Sequence, residues 1–358
     1  MPSIAMENIA LKQNGFEYNT GGGDNVGQLF AIGEVLIDFI PLQKGSALKD
    51  VQAFERAAGG APANVAASVA KLGGHASMLT KLGKDAFGDY LIEQLAHAGV
   101  RTDFIRRTDE ANTGLAFVSL REDGERDFSF YRSPSADLLL SEDEIDPGIF
   151  GTNDILHFGS VDLVESPMKQ AHLKAIHAVK SQGGLISFDP NVRLPLWHSP
   201  EECRRTIQDF IPAAHLIKIS EDELEFITGI TSKKEAIASL FQGDVQAVVY
   251  TRGKEGAELY LSADEKYKGR GFNVKVQDTT GAGDAFVGGF LYKLLENGTA
   301  QDNITEVLRV HHDEILEFAN ASGAWTTAGK GAIPALPSQA DVHKLIEMQS
   351  NKGMMTNV

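Results

Sequence analysis

The sequence predicts an α/β protein with a central, mostly parallel β-sheet, helices on both faces of that sheet, and a second, small β-sheet. Two observations predict this fold. Short apolar segments of strand length alternate with segments of helical period along most of the 358 residues, which is typical of a parallel sheet covered by helices. Between residues 113 and 131 this alternation gives way to two strand-like segments joined by a charged turn, which indicates a separate hairpin.

The first segment shows no hydrophobic period. Residues 1–27 include the run Gly-Gly-Gly-Asp-Asn and predict a flexible N-terminal tail. Residues 29–40 are mostly apolar and predict one strand that is buried on both faces. Asp38 stands at the end of this predicted strand, where a simple strand terminus and a functional carboxylate are equally good interpretations.

Paired glycines precede the first predicted helix. Residues 59–64 read Gly-Gly-Ala-Pro-Ala-Asn, and apolar residues follow at helical spacing up to a second glycine pair at 73–74. Proline suits the first turn of a helix. Gly59 and Gly60 permit a ligand to approach the backbone closely, and the Asn64 amide offers a donor and an acceptor to a hydroxyl group. A strand over 78–82 and a helix over 89–98 continue the alternation.

The predicted hairpin has strands over 114–120 and 127–131, on either side of a charged turn that contains an Asp-Gly pair. Together with a segment at about 41–58 it predicts a small sheet that lies apart from the main one. A flap of this kind, from about 41–58 and 112–134, suits a lid over a binding site.

Polar residues follow the strands that are predicted over 155–159, 185–189, 216–219 and 247–251. In an open parallel sheet, ligands bind at the carboxyl ends of the strands. The polar groups at predicted strand ends are Asp38, the runs 189–193 and 220–223, Thr251 with Gly253, and the run 278–284. Their convergence predicts one site at this edge of the sheet.

The last of these runs joins a predicted strand over 271–276 to a predicted helix that continues to Asn297. The small residues Gly281, Ala282 and Gly283 leave the first N–H groups of the helix uncovered, and the positive end of the helix dipole points the same way. Such a turn is an anion site. Asp284 comes directly after it and could accept a proton from a hydroxyl that attacks a bound phosphate. The alternative is that Asp284 only stabilises the first helical turn, which is common for an isolated motif of this kind.

Composition limits the possible functions. The chain has 33 Lys and Arg against 49 Asp and Glu, a net charge of −16, which argues against nucleic acid or an anionic membrane as a partner. Cys203 is the only cysteine, so an intrachain disulfide is excluded. No apolar run reaches the length of a membrane span and no secretory signal is evident. A cytoplasmic enzyme is therefore expected.

The common nucleotide-binding motifs are absent, because the sequence has neither a Walker A loop nor a dinucleotide fingerprint after the first strand. The sequence resembles instead the ribokinase/PfkB family of carbohydrate kinases from about residue 29 to residue 337. The run 59–64 and the run Asp-Thr-Thr-Gly-Ala-Gly-Asp-Ala-Phe over 278–286 carry the resemblance. Within the family the sequence is most similar to the fructokinases, through residues 33–38, 130–137, 189–197 and 330–337.

The resemblance implies a ribokinase-like fold and an ATP-dependent sugar kinase that converts D-fructose to D-fructose 6-phosphate. It implies that Asp284 is the general base and that the amides of Gly281, Ala282 and Gly283 form the anion hole. Residues implied to hold the sugar are Asp38, Gly59, Gly60, Asn64 and Arg193, with Phe117 and Phe130 closing the lid over it.

For the nucleotide, the resemblance implies ATP with Mg²⁺ and a K⁺-like monovalent cation at Asp278 and Thr280. Residues implied to line the ATP site are Lys218, Ser220, Glu223, Thr251, Gly253, Gly256 and Asn320. Ser220 departs from the asparagine that the family frequently has at this position, so a direct nucleotide contact of Ser220 is in doubt.

The implied kinase domain spans 28–345 and is followed by a C-terminal tail over 346–358. The lid is implied to form a homodimer, as it does in relatives. Two alternatives stay open at the level of sequence. The substrate could be another sugar, such as 2-keto-3-deoxygluconate or ribose, or the chain could be a catalytically silent regulatory member of the family.

Overall fold

The computed structural model describes residues 27–43, 45–120 and 126–355, and these residues form two β-sheets and a set of surrounding helices. The order of the larger sheet is β13-β12-β11-β10-β9-β8-β1-β4-β5. Its strands are parallel from β11 to β5, and β12 and β13 are added antiparallel at one edge. The strands are β1 (Leu29–Ile32), β2 (Leu36–Pro41), β3 (Phe54–Gly59), β4 (Ala76–Gly83), β5 (Ile105–Thr108), β6 (Leu115–Leu120), β7 (Arg126–Tyr131), β8 (Ile155–Gly159), β9 (Leu185–Asp189), β10 (Leu216–Ser220), β11 (Ala247–Thr251), β12 (Gly256–Tyr260) and β13 (Lys266–Arg270).

Helices cover both faces of the larger sheet. Helices α1, α2, α7, α8 and α9 pack on one face, and α3 to α6 pack on the other. The helices are α1 (Ala61–Lys71), α2 (Ala86–His97), α3 (Pro167–Ser181), α4 (Pro200–Phe210), α5 (Glu221–Thr228), α6 (Lys233–Leu240), α7 (Ala282–Glu296), α8 (Ile304–Thr327) and α9 (Gln339–Met355). The predicted α/β class is confirmed.

The interior strand β1 shows why the sheet is covered on both sides. Side chains alternate between the two faces of a strand. Leu29 and Ala31 pack in the apolar core that contains α1 and α7, whereas Phe30 and Ile32 pack in the core that contains α3 and α4. All four side chains are fully buried. A strand buried on both faces has to be apolar throughout, and this is the pattern that the sequence shows.

The single strand predicted over 29–40 is wrong, because the structure divides this segment into β1 and β2. Gly33, with φ of 147°, lies at the bend between them. This conformation is rarely adopted by residues with a Cβ atom. After the bend, β2 leaves the larger sheet and pairs with β3 and β6 in the smaller one. Asp38 therefore lies in a strand of the smaller sheet and not at an end of the larger one.

The smaller sheet, which we call the lid, has the order β3-β2-β6-β7. Strands β2 and β3 are antiparallel, β6 and β7 form the predicted hairpin, and β2 and β6 are parallel. The lid thus begins at Leu36, before the predicted boundary at 41. The Asp-Gly turn of the hairpin and the predicted N-terminal tail up to residue 26 lie outside the described residues.

Two further sequence predictions are corrected by the structure. Residues 271–276 are not a strand: β13 ends at Arg270, and the N–H groups of Gln277 and Asp278 donate to the carbonyl of Thr327 at 2.8 and 3.2 Å. The chain therefore approaches the site along the end of α8. The residues predicted as a C-terminal tail from 346 onwards are helical as far as Met355, in α9.

None of the helices in the described ranges combines the length and the apolar character that a membrane span requires.

Candidate active site

A cavity of about 1020 Å³ lies between the carboxyl ends of the central strands and the lid. It is the place where the polar groups predicted from the strand ends come together. Most of the sequence-predicted site residues line it. They are Asp38, Gly60, Asn64, Phe130, Arg193, Lys218, Ser220, Glu223, Asp278, Thr280, Gly281, Gly283 and Asp284.

The N-terminus of α7 forms one wall of the cavity. Gly281 is its N-cap residue, with φ of 74°, and glycine has no side chain that could cap the helix. A Cβ atom at Gly281 would lie 2.7 Å from the Cβ of Ala332, so this position requires glycine for both conformation and space. Gly283 faces the cavity, and the nearest atom to a Cβ placed there is the Lys218 Nζ at 3.9 Å. The helix end therefore presents backbone to the cavity.

Asp284, in the first turn of α7, is held by a neighbouring helix. The Asn64 Nδ2 of α1 donates to its Oδ2 at 2.8 Å. Desolvation by the surrounding protein raises the pKa of Asp284, while the Asn64 hydrogen bond and the charges of Lys218 and Arg193 oppose the rise. A carboxylate with a raised pKa and a fixed direction is suited to take up a proton.

Lys218 at the end of β10 pairs with Asp189 at the end of β9, with 3.0 Å between Nζ and Oδ2. Burial lowers the pKa of Lys218, but the carboxylates of Asp189 and Glu223 outweigh burial, so its pKa is raised. Lys218 is therefore cationic. Asp189 is 4% exposed, and burial raises its pKa to about 6 in spite of Lys218. This buried pair places one positive charge beside the N-terminus of α7.

A strained turn directs Arg193 towards the cavity. Asn191 has φ of 45°, in the left-handed region that asparagine tolerates better than most residues. Its N–H donates to Asp189 Oδ1 at 3.2 Å. The next residue, Val192, donates its N–H to Glu223 Oε1 at 2.8 Å. The loop from β9 is thus tied to α5 on one side and to the Asp189 carboxylate on the other.

Ser220 and Glu223 cap the N-terminus of α5. The Ser220 Oγ and N–H both donate to Glu223 Oε2, at 2.6 and 3.0 Å, in a capping box. Ser220 lines the cavity, but its hydroxyl is engaged by this carboxylate. The shorter side chain that replaces the asparagine frequent in the family therefore has a structural role at the start of α5.

Asp278 links two loops at the other end of the cavity. Its Oδ1 accepts the Thr280 N–H at 3.0 Å and the Thr280 hydroxyl at 2.6 Å, and its Oδ2 accepts the Gly331 N–H at 3.0 Å. These bonds fix the turn before α7 against the loop after α8. Carboxylate, hydroxyl and carbonyl oxygens of such loops are the donors that alkali cations prefer.

The lid contributes one face of its sheet to the cavity. Asp38 in β2 and Phe130 in β7 line the cavity, and Gly59 leaves room for Asp38, since a Cβ atom there would be 2.1 Å from Asp38 Oδ2. Phe117, which the resemblance implies closes the lid over the sugar, does not line the cavity. Phe117 lies on the opposite face of the lid, where its ring stacks on Phe39 with 4.7 Å between centroids. Phe117 of β6 pairs with Phe39 of β2, and successive residues of a strand point to opposite faces. Phe117 and Asp38 therefore lie on opposite faces of the lid.

Five other predicted site residues lie outside the cavity lining. The Ala282 N–H donates to the Thr279 carbonyl at 3.3 Å, so this amide is already used within the turn. Thr251 pairs with Ala257 in the β11–β12 ladder, and Gly253 follows it in an exposed turn. Gly256 is buried against the backbone at Gly269, and the Asn320 Nδ2 donates to the Leu316 carbonyl at 2.7 Å within α8.

Sequence reasoning missed several residues that line the cavity. Glu34, at the bend between β1 and β2, is 4% exposed, and its carboxylate accepts the Ala61 N–H at 2.9 Å. Lys330, in the loop after α8, forms an ion pair with Glu55 of β3. The signal for Glu34 was the Gly-Glu pair that interrupts an otherwise apolar segment. The Lys330 pair joins residues 275 positions apart and has no local signal.

The comparisons with known proteins agree with this geometry. Residues 27–339 match the model of the pfkB family of carbohydrate kinases. The chain is 43% identical over 329 residues to a probable fructokinase-5 of Arabidopsis thaliana, covering 91% of this chain and 99% of the relative. A fructokinase from Xylella fastidiosa with bound ATP superposes with a TM-score of 0.82 at 35% identity, covering 90% of this chain and 99% of that one.

A second solved structure is similar over the same length. It is a fructokinase double mutant from Vibrio cholerae O395 bound to fructose, ADP and potassium ion, with a TM-score of 0.79 and 34% identity. It covers 90% of this chain and 99% of its own.

The fold and the cavity define an α/β carbohydrate kinase with a β-sheet lid. The chain belongs to the pfkB family of carbohydrate kinases.

Proposed function

We propose that the protein is an ATP-dependent fructokinase that transfers the γ-phosphoryl group of ATP to D-fructose and forms D-fructose 6-phosphate and ADP. One observation carries this proposal: Asp284 lies beside the exposed backbone of Gly283, inside a cavity that the lid covers. Phosphoryl transfer needs a positioned base and a charge-stabilising cradle more than it needs covalent chemistry. The similarity to fructokinases over most of the chain supports fructose as the sugar.

Asp284 is the general base in this proposal. It takes the proton from the C6 hydroxyl of fructose as the hydroxyl oxygen attacks the γ-phosphorus, and the bond to the leaving ADP oxygen breaks. General base catalysis contributes about 10²- to 10⁴-fold to such a step. The Asn64 hydrogen bond fixes the direction of the Asp284 carboxylate.

The backbone at the start of α7 stabilises the transferring group. The amides of Gly281 and Gly283 face the cavity, and the helix dipole adds positive potential there. Ala282 is left out of this anion hole because its N–H bonds to Thr279. Lys218 and Arg193 add positive charge from the strand ends. The sugar is held from the opposite side by Asp38 and by the backbone at Gly60.

The acidic side chains fit a magnesium–ATP complex. Mg²⁺ is usually held by one or two carboxylates together with the substrate phosphates, and when bound it neutralises the phosphate charge. Glu223 and Asp189 are the carboxylates that line the cavity near Lys218, and they would face the phosphate-bound ion.

A monovalent cation, K⁺ by analogy with the potassium in the Vibrio cholerae structure, would lie at Asp278 and Thr280. The Asp278 carboxylate already braces both the turn before α7 and the Gly331 N–H. A cation there would stiffen the same two loops and so stabilise the anion hole.

The lid supports a homodimer in this proposal. Tyr131 on β7 is 65% exposed and contacts Phe117, and the Phe117 ring stacks on Phe39, so an aromatic surface lies on the face away from the sugar. Sedimentation equilibrium of the wild type and of a Tyr131→Ser variant would measure the association. A wild type that sediments as a monomer would remove the dimer from the proposal.

The cytoplasmic location expected from the sequence also remains a prediction.

An ATP-consumption assay tests the function. Purified protein is given Mg²⁺ and ATP with fructose, ribose, glucose, 2-keto-3-deoxygluconate or no sugar, each with and without K⁺. We expect the highest kcat/KM with fructose, and 6-phosphorylated product by NMR. A preference for another sugar would reassign the substrate within the carbohydrate kinases. If a folded, ATP-binding protein consumed no ATP with any of the sugars, a regulatory member of the family would be favoured.

A further inference from the structure

Glu34 is the buried carboxylate of the cavity that the proposed reaction does not use. It lies at the bend where the chain leaves the larger sheet for the lid, between β1 and β2. Its Oε1 accepts the N–H of Ala61, the first residue of α1, at 2.9 Å. The two residues are 27 positions apart, so this hydrogen bond is a tertiary contact.

The start of α1 depends on this contact. Its N-cap residue is Gly60, which has no side chain to accept a backbone N–H, and Pro62 has no N–H to donate. Helix starts need an acceptor for their first N–H groups. Glu34 supplies it from outside the helix, in the place where a serine or aspartate cap would normally act.

The same helical turn carries the residue that holds the base. The Asn64 N–H donates to the Gly60 carbonyl at 2.9 Å, which closes the first turn of α1. The Asn64 Nδ2 then donates to Asp284 Oδ2 at 2.8 Å. Two hydrogen bonds and one helical turn therefore connect Glu34 to the carboxylate of Asp284.

A buried charged cluster acts electrostatically on Glu34. Arg132 follows the last lid strand and donates to Asp137 and to Asp162, which comes soon after β8. Burial and the charge of Asp162 raise the pKa of Glu34 to about 8, against the opposing effect of Arg132. The raised pKa favours the protonated carboxyl group, whose carbonyl oxygen can accept the Ala61 N–H.

We propose that Glu34 is a positioning residue of the reaction: it fixes the first turn of α1 to the bend between β1 and β2, where the chain enters the lid, and thereby fixes the Asn64 amide that holds the base. This inference rests on the proposed function, because it requires Asp284 to act as the base. Glu34 acts through Asn64 and does not need to touch the transferred group.

The pH dependence of turnover reports this role. The Asn64 hydrogen bond stabilises the ionised form of Asp284, so weakening it raises the pKa of the base further. Turnover needs the ionised base and is lost as pH falls through its pKa. A looser α1 start therefore moves the acidic limb of the kcat profile to higher pH. The other charged groups that act on Asp284 are Lys218, Arg193 and Asp189.

The experiment compares Glu34→Gln, Glu34→Asp and Glu34→Ala by kcat, fructose KM and the pH profile of kcat. Glutamine matches the protonated carboxyl and keeps the acceptor oxygen, so Glu34→Gln should retain kcat to within about 2-fold. Glu34→Ala should lower kcat on the order of 10-fold by misplacing the site. It should also move the acidic limb up by about one pH unit, towards the position expected for Asn64→Ala measured alongside it.

Glu34→Asp tests the same contact in case Glu34→Ala does not fold. It keeps a carboxyl group but is one methylene too short to reach Ala61 in the same way, so it should show the shifted limb with a smaller loss of packing. The proposal is overturned if both shortened variants fold and keep the wild-type limb. It is also overturned if Glu34→Gln is as damaging as Glu34→Ala, because the acceptor oxygen would then not be the cause.

Asp154 offers a matched control. It is 6% exposed, and its carboxylate accepts the backbone N–H groups of Gln28 and Gly151 at 3.0 and 2.7 Å, just before β8 and away from the cavity. Asp154→Ala should lower the melting temperature and leave the acidic limb unmoved. An equal shift of the limb in this control would overturn the specific role of Glu34.

Asp284→Asn separates the two proposals. Wild-type-like turnover in Asp284→Asn removes Asp284 from the base role, so the proposed function fails at that point whatever Glu34 does. An inactive Asp284→Asn together with an unmoved limb in the Glu34 variants leaves the proposed function intact and rejects only the role of Glu34.

Discussion

Two helices begin at glycine in this cavity, and their N-termini are used differently. The N-cap residue is Gly60 in helix α1 and Gly281 in helix α7, and neither glycine has a side chain to cap its helix. At α1 the first N–H is taken by the Glu34 carboxyl from across the fold. At α7 the backbone of Gly283 is exposed to the cavity.

Both N-cap glycines are closely packed, since a Cβ at Gly281 would lie 2.7 Å from the Ala332 Cβ, so the difference lies in the residues beside each of them. A Cβ at Gly60 would lie 2.3 Å from the Glu34 carbonyl oxygen, and one at Gly33 would lie 2.6 Å from the Pro62 side chain, so the start of α1 is packed against the bend after β1. A Cβ at Gly283 would meet no atom closer than 3.9 Å. A packed helix start positions neighbouring groups, and an uncovered one can bind an anion.

The strongest test of the α7 start is its carboxylate. Asp284→Asn keeps the size and the hydrogen bond to Asn64 but removes the proton acceptor. We expect kcat to fall by about 10²- to 10⁴-fold while ATP affinity changes little. Steady-state kinetics and calorimetric ATP titration measure the two effects. Turnover within a few-fold of the wild type would show that Asp284 has only a structural role at α7.

Gly283→Ala tests whether uncovered backbone is the functional feature of α7. The methyl group has space within the fold but would cover the amide face, so kcat should fall on the order of 10²-fold, as for the loss of one anion-hole donor. Alanine favours a helix over glycine by about 0.5–1 kcal/mol, so the melting temperature should stay the same or rise. Loss of stability together with activity would mean that this helix start is packed like that of α1.

Gly33→Ala is the converse test at the α1 start. Alanine must adopt φ of 147° and its Cβ must displace Pro62, so the free energy of unfolding should decrease by about 1–3 kcal/mol. Denaturant unfolding measures this loss. Gly33 does not line the cavity, so any loss of kcat in the protein that stays folded at low temperature should arise through the start of α1 and the Asn64 hydrogen bond, with the acidic limb of the kcat profile moved to higher pH. A stable variant that has lost turnover would contradict a packing role for this region.

How much of this the sequence could predict depends on how local the signal is. The helix start after residues 281–283, the proline at the start of α1 and the two paired strands of the lid hairpin follow short, contiguous sequence patterns, and the structure has these elements. The break at Gly33 was missed because apolar residues on both sides of the bend give the same pattern as one long strand.

Long-range features were also missed for a physical reason. The resemblance placed Phe117 over the sugar, but the stacking of its ring on Phe39 shows that it points to the face of the lid away from the cavity. Asn320 was assigned to the nucleotide although its amide is satisfied inside α8. Glu34 and Lys330 find their partners across 27 and 275 residues, and nothing local indicates these contacts.

The ion pair of Lys330 and Glu55 connects the approaches to the two helix starts. Glu55 is on β3, the strand that leads into α1, and Lys330 is in the loop after α8, which Asp278 braces against the turn before α7. Both side chains are about half exposed, so water and salt screen the pair. Exposed pairs of this kind contribute about 0–1 kcal/mol.

We therefore expect Glu55→Gln to change kcat/KM for fructose by no more than about 3-fold at low salt, and the difference should disappear near 1 M NaCl. The measurement is the salt dependence of kcat/KM for wild type and variant, with Lys234→Gln as the control because its pair with Asp264 is also exposed but lies away from the cavity. A large, salt-independent loss in Glu55→Gln alone would mean that the lid strand and the α7 loop are rigidly coupled. The two helix starts would then respond as one unit, and the contrast between them would have to be abandoned.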